Sequence, residues 1–265
     1  MKFIRSRSNP LFKSLLKLKA SPRERRSEGS ALLDGAHLVA AYLDRVGKPR
    51  ALAVSAGATE TPEIKRLLGQ VQSLEPIVLS EGLFRELSPV TTPSGILAVV
   101  AIPAAQSVPP DADCCLLLDD IQDPGNLGSI LRSAAAAGVR HVLLSRGCAD
   151  AWSPRVLRGA MGAHYLLVIE ERANLPAFAR DYQGQVVATA ADAGQSIFEI
   201  DLTRPTAFVV GNEGAGLSRE LAGQADVSAA VPMPGGMESI NVGAAVAVCL
   251  FERVRQLRTV QSAKQ

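Results

Sequence analysis

Two glycine-rich turns, about twenty residues apart, constrain this chain more than any other stretch of it. The β-like run Ala207–Val210 stops at Gly211–Gly216, and the run Asp226–Val231 stops at Pro234–Ser239. Asn241 then opens a long apolar helix. A strand that ends in glycines lets main chain approach a ligand closely, because no Cβ stands between them. Two such turns can wall one pocket, so the chain is expected to bind a cofactor there.

The residues before these turns alternate between two periods. Cys115–Leu118, His141–Ser145, Tyr165–Ile169 and Val186–Ala190 are strand-like. Between them lie predicted helices over Leu127–Ala137, Pro154–Ala163 (Ser153 as N-cap, Pro154 at the first position) and Leu175–Tyr182. Such alternation predicts a parallel sheet covered on both faces, with ligands beyond the strands' carboxyl ends. A smaller α/β series precedes it: strands Ala31–Leu33, Ala51–Val54, Ile77–Leu79 and Gly95–Ile102, helices Ala36–Val46, Pro62–Leu68 and Ser80–Leu87. The expected organisation is a basic N-terminal arm (1–26), a small α/β domain (27–102), a proline-rich linker (103–113) and a larger α/β domain (114–265).

Charge separates the arm from the rest. Residues 1–26 carry nine basic side chains against one acid, Glu24, which leaves 19 basic and 25 acidic residues elsewhere. Arg5, Arg7, Arg23, Arg25 and Arg26 are therefore candidate contacts to a polyanion such as RNA, the alternative being a solvated tail. The apolar residues 11, 15, 16 and 18 after Asn9-Pro10 predict a short amphipathic helix. No apolar run approaches the ~18 residues of a spanning helix, and no secretion signal is recognised, so a cytoplasmic protein without a membrane partner is expected. The four cysteines form no CxxC pair and read as reduced core residues. With three scattered histidines they suggest no metal site.

Three turns carry the polar chemistry. In the first, Asn126 is expected to cap a helix, and Arg132 in its second turn can lean back toward the cap. An arginine near the positive end of a helix needs an anionic partner. Asp119, Asp120 or Asp123 could provide one structurally, or a substrate phosphate could. The second turn, Gly211 to Gly216, has the order G-x-x-G-x-G and no Walker lysine, which argues against a dinucleotide or phosphate loop. Glu213 within it either binds a donor or caps the next helix. In the third, Ser239 and Asn241 taken singly are ordinary caps.

Together the three turns resemble the motifs of the SpoU/TrmH family (SPOUT superfamily) of RNA 2′-O-ribose methyltransferases. The N-x-G…R element is Asn126, Gly128 and Arg132. The G-x-E-G-x-G element runs from Gly211 to Leu217, and the P-M-x-G…S-(L/I)-N element from Val231 to Asn241. The resemblance covers about residues 114–256 and departs in small ways: Val231, Ile240 and Gly243 stand where isoleucine, leucine and serine are common. It implies a trefoil-knotted parallel-sheet α/β methyltransferase domain behind a substrate-binding domain, a homodimer paired through the last helix, and S-adenosylmethionine as cofactor. Thr189, Gly211, Val231, Met233 and Ile240 would line the cofactor. Arg132, Asn126, Glu213, Ser239 and Asn241 would form the catalytic set, with Glu213 orienting Asn126 or Arg132. The implied reaction is methyl transfer to a ribose hydroxyl of RNA, ribosomal RNA by the two-domain layout. Transfer RNA as target, a non-catalytic RNA-binding protein and a nucleotide-dependent oxidoreductase are the alternatives.

Overall fold

The structure, a computed structural model, describes residues 2–104 and 106–262. In chain order its elements are β1 (Lys2–Ile4), α1 (Pro10–Ala20), α2 (Pro22–Glu28), β2 (Ser30–Asp34), α3 (Ala36–Arg45), β3 (Ala51–Ser55), α4 (Pro62–Gly69), β4 (Ile77–Leu79), α5 (Glu81–Leu87) and β5 (Ile96–Ala101). They continue with β6 (Cys114–Leu118), α6 (Pro124–Ala136), β7 (His141–Leu144), α7 (Pro154–Ala160), β8 (Val168–Glu171), α8 (Leu175–Asp181), β9 (Gln185–Thr189), β10 (Gln195–Ser196), β11 (Thr206–Val210), α9 (Arg219–Ala222), β12 (Val227–Ala230) and α10 (Val242–Ser262). They form two compact units, one of residues 2–104 with 152–165, the other of residues 106–151 with 166–262.

The first unit is built on a five-stranded sheet ordered β1-β4-β3-β5-β2. β1, β4 and β3 run parallel, whereas β5 is antiparallel to both β3 and β2. Here the structure corrects the free basic arm. Residues 2–4 add an edge strand to β4, and α1 buries Phe12, Leu15 and Leu18 in the core. Only the far side of α1, with Lys13 and Lys17, stays in solvent. Asn9 caps α1 by accepting from the amides of Leu11 and Phe12. Ser21 ends α1 and caps α2 through the amide of Glu24. The unit also takes in α7, which buries Val156, Leu157 and Ala160 and packs on β2. Residues 152–165 thus belong to the first unit and not to the domain in which the sequence alternation puts them.

The second unit holds a seven-stranded sheet ordered β10-β12-β9-β11-β6-β7-β8, with every pair parallel. Its central strands are apolar on both faces, as β6 (CCLLL) and β11 (TAFVV) show by being buried at every residue. Cys115, Leu117, Val186, Ala207 and Val209 pack with Leu175, Ala179 and Tyr182 of the α8 region on one side. The last helix, α10, lies along α6. The chain runs outward from β6 through β7 to β8 and then returns to build β9, β11 and β12 on the other side. Strand order therefore reverses beside β6, and the turns after β6, β11 and β12 come together at one sheet end, where such sheets bind ligands.

Candidate active site

Geometry at the turn after β11 explains its glycines. A Cβ on Gly211 would lie 2.4 Å from the carbonyl carbon of Gly216 and 2.7 Å from the Leu217 nitrogen. Only glycine fits there. Gly216 closes the loop at φ +70, and its main chain pairs both ways with Asn212. The Asn212 side chain accepts from the amides of Gly214 and Ala215, both at 2.9 Å, and donates to the Asp120 carbonyl at 3.0 Å. Glu213 stands out from this fastened loop.

The turn after β6 differs from expectation at its cap. The helix begins at Pro124, and Asp123 is the N-cap, its carboxylate accepting from the Asn126 amide at 2.7 Å. Asp-Pro is itself a start signal, a capping side chain followed by a residue pre-set for the first turn. Asn126 is therefore inside the helix, with its side chain free for other work. Arg132 moves from the second turn to the third, about 9 Å along the axis from Asn126.

What Asn126 does is join the three turns. Its Nδ2 donates to Glu213 Oε1 at 2.6 Å, and its Oδ1 accepts from Asn241 Nδ2 at 2.8 Å. Asn241 Oδ1 accepts in turn from the Gly243 amide at 2.9 Å, at the start of α10. The direction of this relay is set at both ends. A main-chain N–H can only donate and a carboxylate only accepts, so each amide between them has one orientation. Asn241 is a helix cap and a link in the relay at once. Gly243 makes the close approach of the two helices possible, since a Cβ there would meet Ser129 Oγ at 3.1 Å and Cβ at 3.3 Å.

Around these turns lies a cavity of about 830 Å³, within the range of small-molecule sites. Thr189, Gly211, Val231, Met233 and Ile240 all line it, and so do Glu213, Ser239 and Asn241. The Thr189 hydroxyl donates to the Val209 carbonyl at 3.2 Å. Its charged lining residues are Asp192, Glu213 and Glu238, and among the described residues no lysine, arginine or histidine lines it. Such a wall suits a cationic ligand and opposes a polyphosphate.

Asn126 and Arg132 do not line the cavity. Arg132 is exposed on α6 and, among the described residues, its side chain has no hydrogen bond or ion pair. The structural salt bridge to Asp119, Asp120 or Asp123 is absent: Asp123 caps α6, and Asp119 accepts from the Ser218 amide. Nor does Glu213 reach Arg132; its partner is Asn126. Of the five N-terminal arginines, Arg5, Arg23 and Arg26 are exposed, and Arg7 pairs with Glu86 at 2.7 Å. Arg25 is buried, and its guanidinium donates to the carbonyls of Leu18 and Lys19 at the end of α1. It locks the α1–α2 corner and is withdrawn from any surface contact. Asp120 and Asp123, expected as partners of Arg132, instead receive Asn212 and cap α6, the latter signalled by the Asp-Pro pair, and Asn212 is a member of this constellation that the motif residues do not mark.

Known proteins match both parts. Residues 113–251 match the SpoU rRNA Methylase family, and residues 9–98 match the MRM3-like substrate binding domain. The 23S rRNA (guanosine(2553)-2′-O)-methyltransferase RlmP of Bacillus subtilis is 34% identical over 95% of this chain and 98% of its own length. An uncharacterized tRNA/rRNA methyltransferase of Synechocystis is 35% identical over 96% of this chain and 93% of its own. The AdoMet-bound rRNA methyltransferase from Sinorhizobium meliloti superposes with a TM-score of 0.81 at 28% identity, covering 97% of this chain and 98% of that one. With its three motifs gathered at one sheet end and more than half its length matched, the chain belongs to the SpoU rRNA Methylase family.

Proposed function

We propose that this chain transfers a methyl group from S-adenosylmethionine to a ribose 2′-hydroxyl of ribosomal RNA. The observation that carries this reading is the relay from Gly243 through Asn241 and Asn126 to Glu213, which fastens the cavity's glycine turn to the helix bearing Arg132. The cofactor fits the residues present. The bare main chain at Gly211 admits a flat group close to the backbone, and an acidic lining suits its positive charge. Gly211, Val231 and Ile240 would hold it by main-chain groups, with Thr189 and Met233 along the wall. When bound it supplies a methyl group on a sulfonium centre, which leaves as a neutral thioether.

This chain's own task is to place and activate the hydroxyl. A guanidinium remains protonated and offers no lone pair, so Arg132 serves as a clamp on the ribose and its phosphate and as a charge facing the developing alkoxide. Its lack of an internal partner leaves it open to substrate. The hydroxyl proton passes to a neighbouring phosphate oxygen or to solvent. Asn126, held by Glu213 and Asn241, positions this region, and Ser239 completes the rim. In-line placement of this kind supplies much of the rate of bimolecular transfer.

The N-terminal unit would bind the RNA. Lys13 and Lys17 on α1, with Arg23 and Arg26 on α2, are exposed and, among the described residues, without ion-pair partners. Two copies would pair through the face of α10 that carries Phe251, and the protein would act on ribosomal RNA in the cytoplasm. Calorimetric titration with S-adenosylmethionine and with NAD, on wild type and Gly211→Val, tests the pocket. Binding of the first alone, lost in the variant, is the expected result. Methylation of ribosomal RNA is then read by mass spectrometry, and a methylated base instead of a ribose would overturn the proposed reaction.

A further inference from the structure

We infer that Asn212 is a positioning residue for methyl transfer, a strut that sets the distance between the cofactor turn and the helix that carries Asn126 and Arg132. This rests on the methyl-transfer reading above. Asn212 has a single side chain with two ends, and each end is committed. Oδ1 gathers the amides of Gly214 and Ala215 and so shapes the turn that walls the cavity. Nδ2 reaches across to the main-chain carbonyl of Asp120.

Asp120 is built to receive it. It takes φ +61, a left-handed conformation uncommon outside glycine but tolerated by aspartate, and this conformation directs its carbonyl. Its amide donates to Ser145 Oγ at 2.9 Å, just past β7, and its carboxylate accepts from Gln122 Nε2 at 3.1 Å. A Cβ on Gly147 would collide with that carboxylate, so the β7 turn is shaped around it. One residue thus ties the ends of β6 and β7 together and offers its carbonyl to the turn after β11. Three residues beyond it, Asp123 caps α6. Asn212 therefore connects the cofactor side of the site to the substrate side by a path separate from the Glu213–Asn126 bond. Both connections leave the same six-residue turn, at adjacent residues. The pair of bonds fixes the turn's tilt toward α6 as well as its distance, which one bond alone cannot do.

Asn212→Asp and Asn212→Ala separate the two ends. Aspartate keeps an oxygen for Gly214 and Ala215 but faces the Asp120 carbonyl with a second acceptor, so the strut is cut and the turn retained. Alanine removes both. The expected result for Asn212→Asp is S-adenosylmethionine affinity within about threefold of wild type and kcat on ribosomal RNA lower by roughly 100-fold, the scale of an ångström's misplacement. For Asn212→Ala, affinity falls as well. Unchanged kcat in Asn212→Asp would overturn the inference. So would parallel losses of kcat, cofactor affinity and melting temperature in that variant, since those mark a purely structural role. If wild type bound cofactor but methylated no RNA, the proposed reaction would fail instead. Amide exchange of the 119–123 turn then decides the strut: faster exchange in Asn212→Asp with the 214–215 amides still protected supports it, and no change refutes it.

Discussion

At the scale of single residues the site is decided by hydrogen-bond direction. Asn126, Asn241 and Glu213 could each be replaced by residues of similar shape, yet only one arrangement of donors and acceptors runs from the Gly243 amide to the carboxylate. Asn241→Asp is the informative change. Aspartate caps a helix as well as asparagine does, so α10 should keep its start and the melting temperature should stay within a few degrees. The donor to Asn126 Oδ1 disappears, however, and two acceptors then face each other. kcat should fall by about 100-fold while S-adenosylmethionine affinity changes much less. Steady-state kinetics beside calorimetry checks this, and wild-type kcat in the variant would show the relay to be incidental. The residue types were legible in the motifs, but the direction of the relay was not. It depends on which main-chain amide lies at the far end, and Gly243 is 117 positions from Asn126.

At the scale of elements, α10 is divided along its length. Val242, Gly243, Val246, Cys249 and Leu250 are buried, and the helix lies against α6 with glycine at its tightest point. On its opposite face Phe251 is 48% exposed, with Ala244 exposed and Val248 half-buried in the two turns before it. Apolar side chains exposed on one helix are the kind of surface that a second copy covers. Phe251→Glu should therefore shift the sedimentation mass from a dimer toward the 27.9 kDa of one chain, leaving the fold intact because this side chain is not core. A wild-type protein that sediments as a monomer would count against pairing by this face. Sequence periodicity predicted the helix and its apolar content. It did not tell the core face from the outer one, since an alanine-rich helix is nearly uniform around its axis.

For the whole molecule the unequal charge matters most. Exchanging Lys13, Lys17, Arg23 and Arg26 for glutamine should weaken ribosomal RNA binding and lower the slope of log K against log salt by about three, four phosphate contacts at 0.7 to 0.9 each. An unchanged slope would place the RNA elsewhere. These four side chains remain on the surface, whereas their neighbour Arg25 is turned inward onto the end of α1 and belongs to the scaffold. A run of arginines looks alike in sequence whether a side chain is solvated or caps buried carbonyls, so the arm could not be told from a folded corner. β1 was missed for a related reason: three residues carry little pattern, and their partner β4 lies some 75 positions away. By itself the sequence determined the alternation of strands and helices, the parallel sheet and the placing of three polar turns at strand ends, because these follow from local periodicity and from glycine's freedom. Only the tertiary structure decided the strand order that brings those turns together, the burial of Arg25 and the bonds of Asn212. Each of these depends on which distant backbone group a side chain meets, and residue spacing does not record that.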